Sequence, residues 1–416
     1  MPGRISASPS LRQFCISILW SLLFAQTSWA EEVAKVPPIP VWCIDFSPDG
    51  TMLASAAGNR PEKGLLTIWD TTSWDVLCRL PQPNALTCVA FSPDSQTLAA
   101  GTQKGEILVF DTTSRTIINR WPSGQPAVFG INWTPNGQLI VGACADGILI
   151  TLVPDTGEVR QTFDAWKADG LPKPGADNNA PRNQWDATVS PDGKTLLSAG
   201  WNDTTRLWDL ETGKLMASFP AEDERTQGVK FTPDQRHFAS SGLGVGCVRI
   251  REMETHRERI TLPIVGRDVA IHPGGGLIAA SSMSEVKVFA VNLDKPTPKD
   301  EARVKDLLNK TGQKDAKLRN SAMEALRQIG PRIEPLLYRW QLEHPSQSYS
   351  TQLDKLWQDL RTPTLVAEFN TFQGEIRQVT ISPKGNLMAA STTEGEVRVW
   401  NIPEFTSNCR LEVAFP

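Results

Sequence analysis

The side chains that could do chemistry are sparse along this chain and do not cluster. The four histidines, His237, His256, His272 and His344, fall at different points of a repeating pattern, so we expect no shared base or metal site. The cysteines form no C-x-x-C pair, and none lies near a histidine at zinc-ligand spacing. We therefore predict no catalytic residues, no metal site and no cofactor.

Two further patterns have a structural explanation. Gly242 to Gly246 is glycine-rich, but an apolar run, Val248 to Ile250, follows it where a phosphate-binding loop would need a helix. No pair of acids stands out as the two carboxylates of a glycosidase. Four aspartates follow a hydroxyl residue and a proline, which is the chemistry of a tight turn: Asp49, Asp94, Asp192 and Asp234.

These turns belong to a repeat that organises the chain. A hydroxyl residue (once a histidine) and a proline open such a turn at Ser47, Ser92, Thr134, Ser190, Thr232, His272 and Ser382. Most neighbouring turns are separated by about 42 residues, a period that accommodates four short strands and their turns, so each repeat is predicted to form one small sheet. Two intervals are longer, the one from Thr134 to Ser190 and the one from His272 to Ser382.

Residues 86–121 show the predicted unit. Four runs read as strands, Leu86 to Phe91, Thr97 to Gly101, Glu106 to Phe110 and Ile117 to Trp121, with turn residues between them. The second run is rich in small residues, which let neighbouring sheets approach closely. The pattern predicts an all-β architecture.

The units resemble the WD-repeat blades of the β-propeller family. Their third strands end in matching residues, Ile68-Trp69-Asp70, Val109-Phe110-Asp111, Leu207-Trp208-Asp209 and Val399-Trp400-Asn401. In that family each repeat forms a four-stranded sheet, and the sheets stand around a central channel. The resemblance covers residues 40–296 and 364–415, and seven repeats imply seven blades.

The chain departs from the family pattern in two respects. No repeat has the Gly-His pair that usually precedes the first strand, so the His-Ser/Thr-Trp-Asp relay of the family is missing and packing between blades is expected to be the main stabiliser. Two segments could close the ring, Cys409 to Phe415 as the last outer strand or Glu32 to Val36 as an N-terminal strand.

A helical segment explains the long interval between His272 and Ser382. Apolar residues recur there at steps of three and four, and Thr297-Pro298 is an expected helix start. Because Glu285 to Val291 reads as a third strand and Thr364 to Phe369 as the fourth of the same blade, residues 297–363 are predicted to leave from blade six. The segment resembles a pair of HEAT-like helical hairpins, as in some exported planctomycete propeller proteins. Its 12 basic and 9 acidic residues fit either a solvated arm or a docking arm for another protein.

The interval between Thr134 and Ser190 contains the predicted recognition surface. Residues 166–184 form a long link between blades three and four, and in propellers such links share a ligand-binding face with the turns between second and third strands. The candidate binding residues are Asn59, Arg60, Glu62, Lys63, Asp146, Trp166, Lys167, Asp169, Asn178, Asn179, Arg182, Trp185, Trp201, Asn202 and Asp203. Tryptophan and arginine dominate binding hot spots. The alternative is a solvated link with Trp166 and Trp185 packed into the blades.

Residues 1–30 are predicted to be a cleaved signal peptide. Arg4 and Arg12 precede a mostly apolar run from Phe14 to Ala25, and Ser28-Trp29-Ala30 forms a small-x-small cleavage site. A membrane anchor is the alternative, but a span requires about 20 apolar residues, more than this run supplies. We expect an exported mature chain, periplasmic or extracellular, with no membrane span.

The net charge bears on the class of partner, and the cysteines bear on disulfide bonding. Removal of residues 1–30 leaves 40 basic and 46 acidic residues, a net charge of −6, so nucleic acid is not an expected partner. The six cysteines left in the mature chain are Cys43, Cys78, Cys88, Cys144, Cys247 and Cys409. They show no legible disulfide framework, although an exported protein could pair them, and buried thiols are the favoured interpretation.

The sequence thus predicts an all-β fold, a seven-bladed β-propeller with a small α-helical insertion in blade six. Its parts are a signal peptide (1–30), blades one to six in part (31–296), the insertion (297–363), and the end of blade six with blade seven and the closure (364–416).

The expected function is a noncatalytic protein-interaction scaffold whose partners are other proteins of the cell envelope. The alternative is a carbohydrate or small-ligand binding protein, or a hydrolase, that uses the channel mouth near the link between blades three and four. A deep pocket with converging carboxylates and tryptophans would favour the alternative, and a flat, open, polar surface would favour the scaffold. A purely structural envelope component is a third interpretation.

Overall fold

The computed structural model describes residues 38–59, 62–168, 170, 183–200, 204–220, 226–243, 248–313, 315–344 and 351–414. Within these ranges the chain forms seven four-stranded sheets, and each sheet takes its strands in chain order. Every first strand packs against the first strands of two other sheets, and the seventh packs against the first, so that the sheets close into a ring. Each sheet is one blade, with its first strand innermost.

The 28 strands, numbered in chain order with four to a blade, are β1 Val41–Phe46, β2 Met52–Gly58, β3 Glu62–Asp70, β4 Val76–Asn84, β5 Leu86–Phe91, β6 Thr97–Thr102, β7 Glu106–Asp111, β8 Thr116–Pro122, β9 Val128–Trp133, β10 Ile140–Cys144, β11 Ile148–Leu152, β12 Val159–Asp164, β13 Gln184–Val189, β14 Thr195–Gly200, β15 Thr204–Asp209, β16 Leu215–Pro220, β17 Thr226–Phe231, β18 His237–Gly242, β19 Val248–Glu252, β20 Glu258–Leu262, β21 Asp268–Ile271, β22 Leu277–Ser281, β23 Val286–Ala290, β24 Thr364–Phe369, β25 Ile376–Ile381, β26 Leu387–Thr392, β27 Glu396–Asn401 and β28 Ser407–Glu412. A short helix, α1 (Ala165–Ala168), follows β12.

The hydroxyl-proline segments form the turns between first and second strands, as predicted. In blade one the Ser47 hydroxyl donates to the Asp49 carboxylate at 2.6 Å and accepts from the Met52 amide at 2.9 Å. Gly50 ends this turn with a φ of +71°, a conformation that glycine adopts without strain. The same hydroxyl-carboxylate bond recurs at Asp94, Asp192 and Asp234, so these carboxylates serve the turns.

Buried apolar side chains join every pair of neighbouring blades. One cluster spans blades one to three, and five others span blades three and four, four and five, five and six, six and seven, and seven and one. The seam between blades seven and one buries Val41 and Trp69 against Val399. The expectation that interblade packing stabilises the ring agrees with this arrangement.

The last blade is completed by the C-terminal candidate strand. β28 pairs with β27 as the fourth strand of blade seven, which places Cys409 opposite Val399. The rival segment, Glu32 to Val36, lies outside the described residues, as do the predicted signal peptide and its cleavage site.

A helical insertion separates β23 from β24. Its helices are α2 (Pro298–Thr311), α3 (Ala316–Ile329), α4 (Glu334–Glu343) and α5 (Thr351–Arg361). The predicted helix start at Thr297 is confirmed, because its hydroxyl accepts from the Asp300 amide at 3.1 Å while the Asp300 carboxylate accepts from the Thr297 amide at 3.0 Å. The helices bury Leu308, Leu326 and Leu356 in a core of their own.

The insertion leaves blade six but docks on blade five. The Glu334 carboxylate, 1% exposed, contacts Arg257 at 2.6 and 2.8 Å and Arg259 at 2.8 Å. Arg257 lies just before the outer strand β20, and Arg259 lies in it. The Trp357 indole donates to Glu334 at 2.8 Å, and the Arg361 guanidinium donates to the Arg259 carbonyl at 2.8 Å. We call this set of contacts the blade-five clamp. The sequence did not predict it.

Blade six is nevertheless completed across the insertion. β24 pairs with β23, with Val286 opposite Phe369 and Ala290 opposite Thr364. The predicted fold class, a seven-bladed propeller with a helical insertion in blade six, is confirmed. None of the helices within the described ranges has both the length and the apolar character needed to cross a bilayer.

Candidate functional site

Six of the seven first strands bulge near their start, and the bulge turns one side chain toward the channel. In blade one Val41 pairs with Ala57 while Cys43 pairs with Ala56, so Trp42 is the extra residue of a β-bulge. Register shifts at the same place occur in blades two, three, four, five and seven. A bulge re-aims a side chain and bends its strand, and here it repeats around a ring.

These bulge residues gather at one mouth of the channel. They are Trp42, Thr87, Phe129, Trp185, Gln227 and Arg377, with Arg267 in the equivalent position just before β21. All seven line one cavity of about 650 Å³. We call this set the mouth ring.

The mouth ring has two unlike sides. Phe129 and Trp185, on blades three and four, pack with their ring centroids 4.9 Å apart. On blades six and seven stand Arg267 and Arg377, and the Arg377 guanidinium lies 4.5 Å from the centre of the Trp42 ring. One side therefore offers apolar surface and the other offers positive charge.

At three of these places the next side chain along the strand links its blade to a neighbouring one. Gln378 Oε1 accepts from the Ile44 amide at 2.6 Å, which joins blade seven to blade one. In the same way Asp186 accepts from the Val229 amide at 3.1 Å, and Asp268 accepts from the Val379 amide at 3.1 Å. These bonds pin the inner strands to one another, so the mouth ring stands on a rigid support.

One lysine stands among three carboxylates farther along the channel. Lys230 Nζ lies 3.1 Å from Asp186 Oδ2. Burial opposes its charge, but the negative charges of Asp186 and Asp268 outweigh that and raise the pKa of Lys230. Burial raises the pKa of Asp45 to about 7 and that of Asp268 to about 6, although Lys230 acts to lower both. These two carboxyl groups therefore titrate near neutral pH.

The cysteines of the described ranges are free thiols. They are Cys43, Cys78, Cys88, Cys144 and Cys409, while Cys247 lies outside the described residues. Burial raises the pKa of the Cys88 thiol to about 12, and burial together with Cys88 raises the pKa of Cys43. Protonated thiols of this kind pack as small apolar groups. Within the described ranges no group of three His, Cys, Asp or Glu side chains could hold a metal ion.

The structure brings part of the predicted recognition surface to the mouth. Trp185 belongs to the mouth ring. Trp166 is buried, and its indole donates to the Asp146 carbonyl at 3.2 Å. Asn59, Lys63, Asp146 and Lys167 are exposed. Asn59 and Asp146 follow second strands, Lys63 lies at the start of β3 and Lys167 on the link after β12, and these segments emerge at the end of the blades where the mouth lies.

Several predicted residues cannot be placed. Arg60, Asp169, Asn178, Asn179, Arg182, Trp201, Asn202 and Asp203, with the side chain of Glu62, lie outside the described part of the chain. The surface as a whole thus stays a prediction.

Sequence reasoning missed most of the mouth ring. The predicted residues did not include Trp42, Thr87, Phe129, Gln227 and Arg377, because the alternating pattern of each strand concealed its bulge. Arg267 was missed as well, since it lies just before β21 and outside the strand pattern. A superposition of the seven first strands, by counting back from their turns, would have shown these residues at one position of the repeat.

Comparison with protein families finds WD repeats at several places along the chain. Residues 89–173 match the family described as "Anaphase-promoting complex subunit 4 WD40 domain". Residues 37–70, 181–209 and 364–401 match "WD domain, G-beta repeat".

The chain is also similar to curated proteins over part of their length. WD repeat-containing protein VIP3 of Arabidopsis thaliana is 29% identical over 147 residues, which cover 32% of this chain and 43% of that protein. COMPASS component SWD3 of Saccharomyces cerevisiae is 26% identical over 170 residues, which cover 41% of this chain and 49% of that protein. The similarity thus spans less than half of each relative.

A solved structure shows the same fold. Hydrazine synthase of Kuenenia stuttgartiensis superimposes with a TM-score of 0.61 and 18% identity, covering 90% of this chain and 99% of that chain. At this level of identity the likeness concerns the fold alone.

Proposed function

This chain is a WD-repeat β-propeller, a kind of protein that generally acts as an interaction scaffold, and we propose that it is a noncatalytic scaffold that holds a partner protein at its channel mouth. The observation that carries the proposal is the mouth ring, in which seven blades each present one side chain at one place. Two tryptophans, a phenylalanine and two arginines are among the residue types that dominate binding hot spots.

Rigidity supports this proposal. Side chains of the inner strands accept backbone hydrogen bonds from neighbouring blades, including the bond from Ile44 to Gln378 that closes the ring. A surface that is ordered before binding loses little conformational entropy when a partner arrives. The same rigidity also keeps the turns that carry Asn59, Lys63 and Asp146 in fixed positions around the mouth.

Affinity capture with matched variants tests the mouth. We expect Trp185→Ala to reduce capture of the physiological partner from a cell-envelope fraction about 30-fold, as for a hot-spot residue. Ile118→Ala, a truncation on the exposed side of β8, should leave capture unchanged. Equal capture by both variants, with thermal unfolding showing both folded, would refute binding at the mouth.

The insertion is proposed as a second docking element. The blade-five clamp holds it against the propeller, so it presents a fixed outer surface. That surface carries exposed basic residues, among them Arg303 and Lys305 on α2, and an exposed Leu342 on α4. A partner with an acidic surface fits this arrangement.

Charge reversal tests the insertion more cleanly than its removal, which would expose the arginines of the clamp. We expect Arg303→Glu combined with Lys305→Glu to weaken partner capture. Lys194→Glu, on an exposed turn between first and second strands, serves as the control for charge reversal elsewhere. Undiminished capture by the double variant would restrict docking to the propeller.

Export is proposed from the N-terminal sequence pattern. Arg4 and Arg12, the apolar run and the small residues before Glu31 support cleavage after Ala30. N-terminal sequencing of the protein purified from its native cells is expected to begin at Glu31. A cytoplasmic protein that still begins at Met1 would contradict export.

Ligand binding or hydrolysis in the channel is the second candidate. Asp45 and Asp268 converge with Lys230 in the channel below two tryptophans, and carboxyl groups that titrate near neutral pH suit acid-base chemistry. Against this, Asp268 accepts the Val379 amide, so that oxygen is used by the fold. A thermal-shift screen with mono- and oligosaccharides tests this candidate, and a stabilisation that Asp45→Asn abolishes would favour it over the scaffold.

A further inference from the structure

Two arginines of the mouth ring share one carboxylate. Arg267 Nη1 and Arg377 Nη2 each lie 3.2 Å from the same atom, Glu375 Oε2. The arginine side chains are 11% and 19% exposed, whereas the Glu375 side chain is 49% exposed. Two largely buried cations are thus paired with one half-exposed anion.

This pairing leaves the arginines incompletely satisfied. The two guanidinium groups carry two positive charges against the single charge of Glu375. Arg377 Nε is buried and has no hydrogen-bond partner among the described residues. Burial lowers the pKa of Arg267 even though Glu375 acts to raise it. A second negative group, or a better-placed one, would therefore be stabilised here.

The carboxylates deeper in the channel do not fill that role. Asp186 is engaged by Lys230 and by the Val229 amide, and Asp268 accepts the Val379 amide. Asp45 accepts the Phe91 amide at 2.8 Å. The charge of Asp268 also acts to raise the pKa of Arg267, but among the described residues no hydrogen bond or ion pair joins any of these three carboxylates to the two guanidinium groups.

We propose that the channel mouth binds an acidic segment of the partner protein, whose carboxylate replaces Glu375 between Arg267 and Arg377 and whose neighbouring apolar side chain packs on Phe129 and Trp185. The inference rests on the proposed function and names the chemistry of its partner. Charge complementarity selects the acid, and the paired aromatic rings on the facing blades select the apolar neighbour.

The exchange is favourable because Glu375 is a weak competitor. A half-exposed carboxylate returns to water at little cost, since water already weakens the ion pairs that it makes. An incoming carboxylate that lies over the mouth can instead meet both guanidinium groups, and arginine-carboxylate pairs of this kind are among the stronger hydrogen bonds in proteins. Glu375 then acts as an internal stand-in that holds the two arginines in place until the partner arrives.

The test is a selection of random dodecapeptides displayed on phage against the whole protein, followed by fluorescence-polarisation titration of the most enriched peptide. We expect Asp or Glu next to an aromatic or aliphatic residue in the enriched sequences. Arg377→Gln should weaken binding of that peptide at least about 10-fold, because a hydrogen-bonded charge pair is lost.

Glu375→Gln gives the decisive comparison, because misfolding cannot explain a gain. Removal of the competing carboxylate should tighten peptide binding about 3- to 5-fold. Glu394→Gln is the matched control, because Glu394 is exposed and packs beside Gly374. This substitution removes the same charge from the same region. It should change affinity less than about 1.5-fold.

Three outcomes would overturn the proposal: no enrichment of any sequence, enriched sequences without acidic residues, or a Glu375→Gln effect equal to that of Glu394→Gln. Its failure can be told apart from failure of the scaffold. If Trp185→Ala abolishes capture of the physiological partner while Arg377→Gln leaves it intact, the mouth binds the partner but does not recognise an acid.

Discussion

Replacement of Glu334 by glutamine should loosen the blade-five clamp and leave the propeller folded. The Glu334 carboxylate is buried. It makes two contacts with the Arg257 guanidinium and one with that of Arg259, and it accepts one hydrogen bond from the Trp357 indole. Loss of one partner from a buried ion pair costs about 3–5 kcal/mol, because the remaining charge stays buried without compensation.

The lower end of that range applies here. Glu252 still pairs with Arg257 at 3.2 Å and with Arg259 at 3.0 Å, so the arginines do not lose all their compensation. We therefore expect a loss of about 3 kcal/mol in the docking of the insertion, or about 100-fold in its opening equilibrium.

Hydrogen-deuterium exchange followed by mass spectrometry measures this opening. Amides of residues 353–361, in α5, should exchange about 100-fold faster in Glu334→Gln, while amides of the inner strands such as β5 keep their protection. Glu324→Gln is the control, because Glu324 forms an exposed pair with Arg327 at 3.5 Å that contributes at most about 1 kcal/mol. Equal exchange in α5 of the two variants would refute the view that the buried charges hold the insertion in place.

Three further predictions concern the ring. Folded Asp45 holds its proton up to about pH 7, whereas the unfolded group releases it near pH 3.8. The stability that this carboxyl group contributes is therefore full below pH 3.8 and is lost as the pH rises through 7. In urea unfolding, Asp45→Asn should gain about 2 kcal/mol or more over the wild type between pH 5 and pH 8, and a pH-independent difference would contradict this. Gln378→Leu leaves the Ile44 amide without its acceptor at the seam between blades seven and one, so it should lower the free energy of unfolding by about 1–3 kcal/mol. A loss under about 0.5 kcal/mol in urea titration would count against the role of that bond. Gly147→Ala should lower the melting temperature more than Gly124→Ala does. Both glycines have positive φ, but only at Gly147 would a Cβ meet Trp166, at 2.4 Å. Equal melting temperatures of the two variants would show that the Trp166 packing is adaptable.

The fold could be predicted from the sequence because its unit is local and repeated. Each turn, such as Ser47 to Gly50, specifies its own hydrogen bonds within a few residues. Seven occurrences of one turn fix the number of blades. The phase of the repeat also located the insertion, because the segments before and after the helices read as the third and fourth strands of one blade, and β23 and β24 do pair.

The docking of the insertion could not be predicted in the same way. Glu334 and Arg257 are 77 residues apart, and each has the sequence context of an ordinary surface charge. Their burial depends on where the helical core of Leu308, Leu326 and Leu356 comes to rest, and amphipathic periodicity does not determine that position.

The candidate site was predictable in its location more than in its residues. Loop lengths pointed to the end of the blades where the mouth ring lies and to Trp185. They did not reveal Arg377, because a bulge shifts a side chain from one face of a strand to the other without changing the polar and apolar residue types around it. Arg267 was missed because it lies just before its strand, outside the strand pattern.

The clamp on blade five has a mechanical consequence. The insertion is covalently part of blade six, yet its buried ion pairs are with blade five. It therefore joins blades five and six outside the apolar seam that they share. Force applied to the helices would then be shared by blades five and six rather than carried by blade six alone.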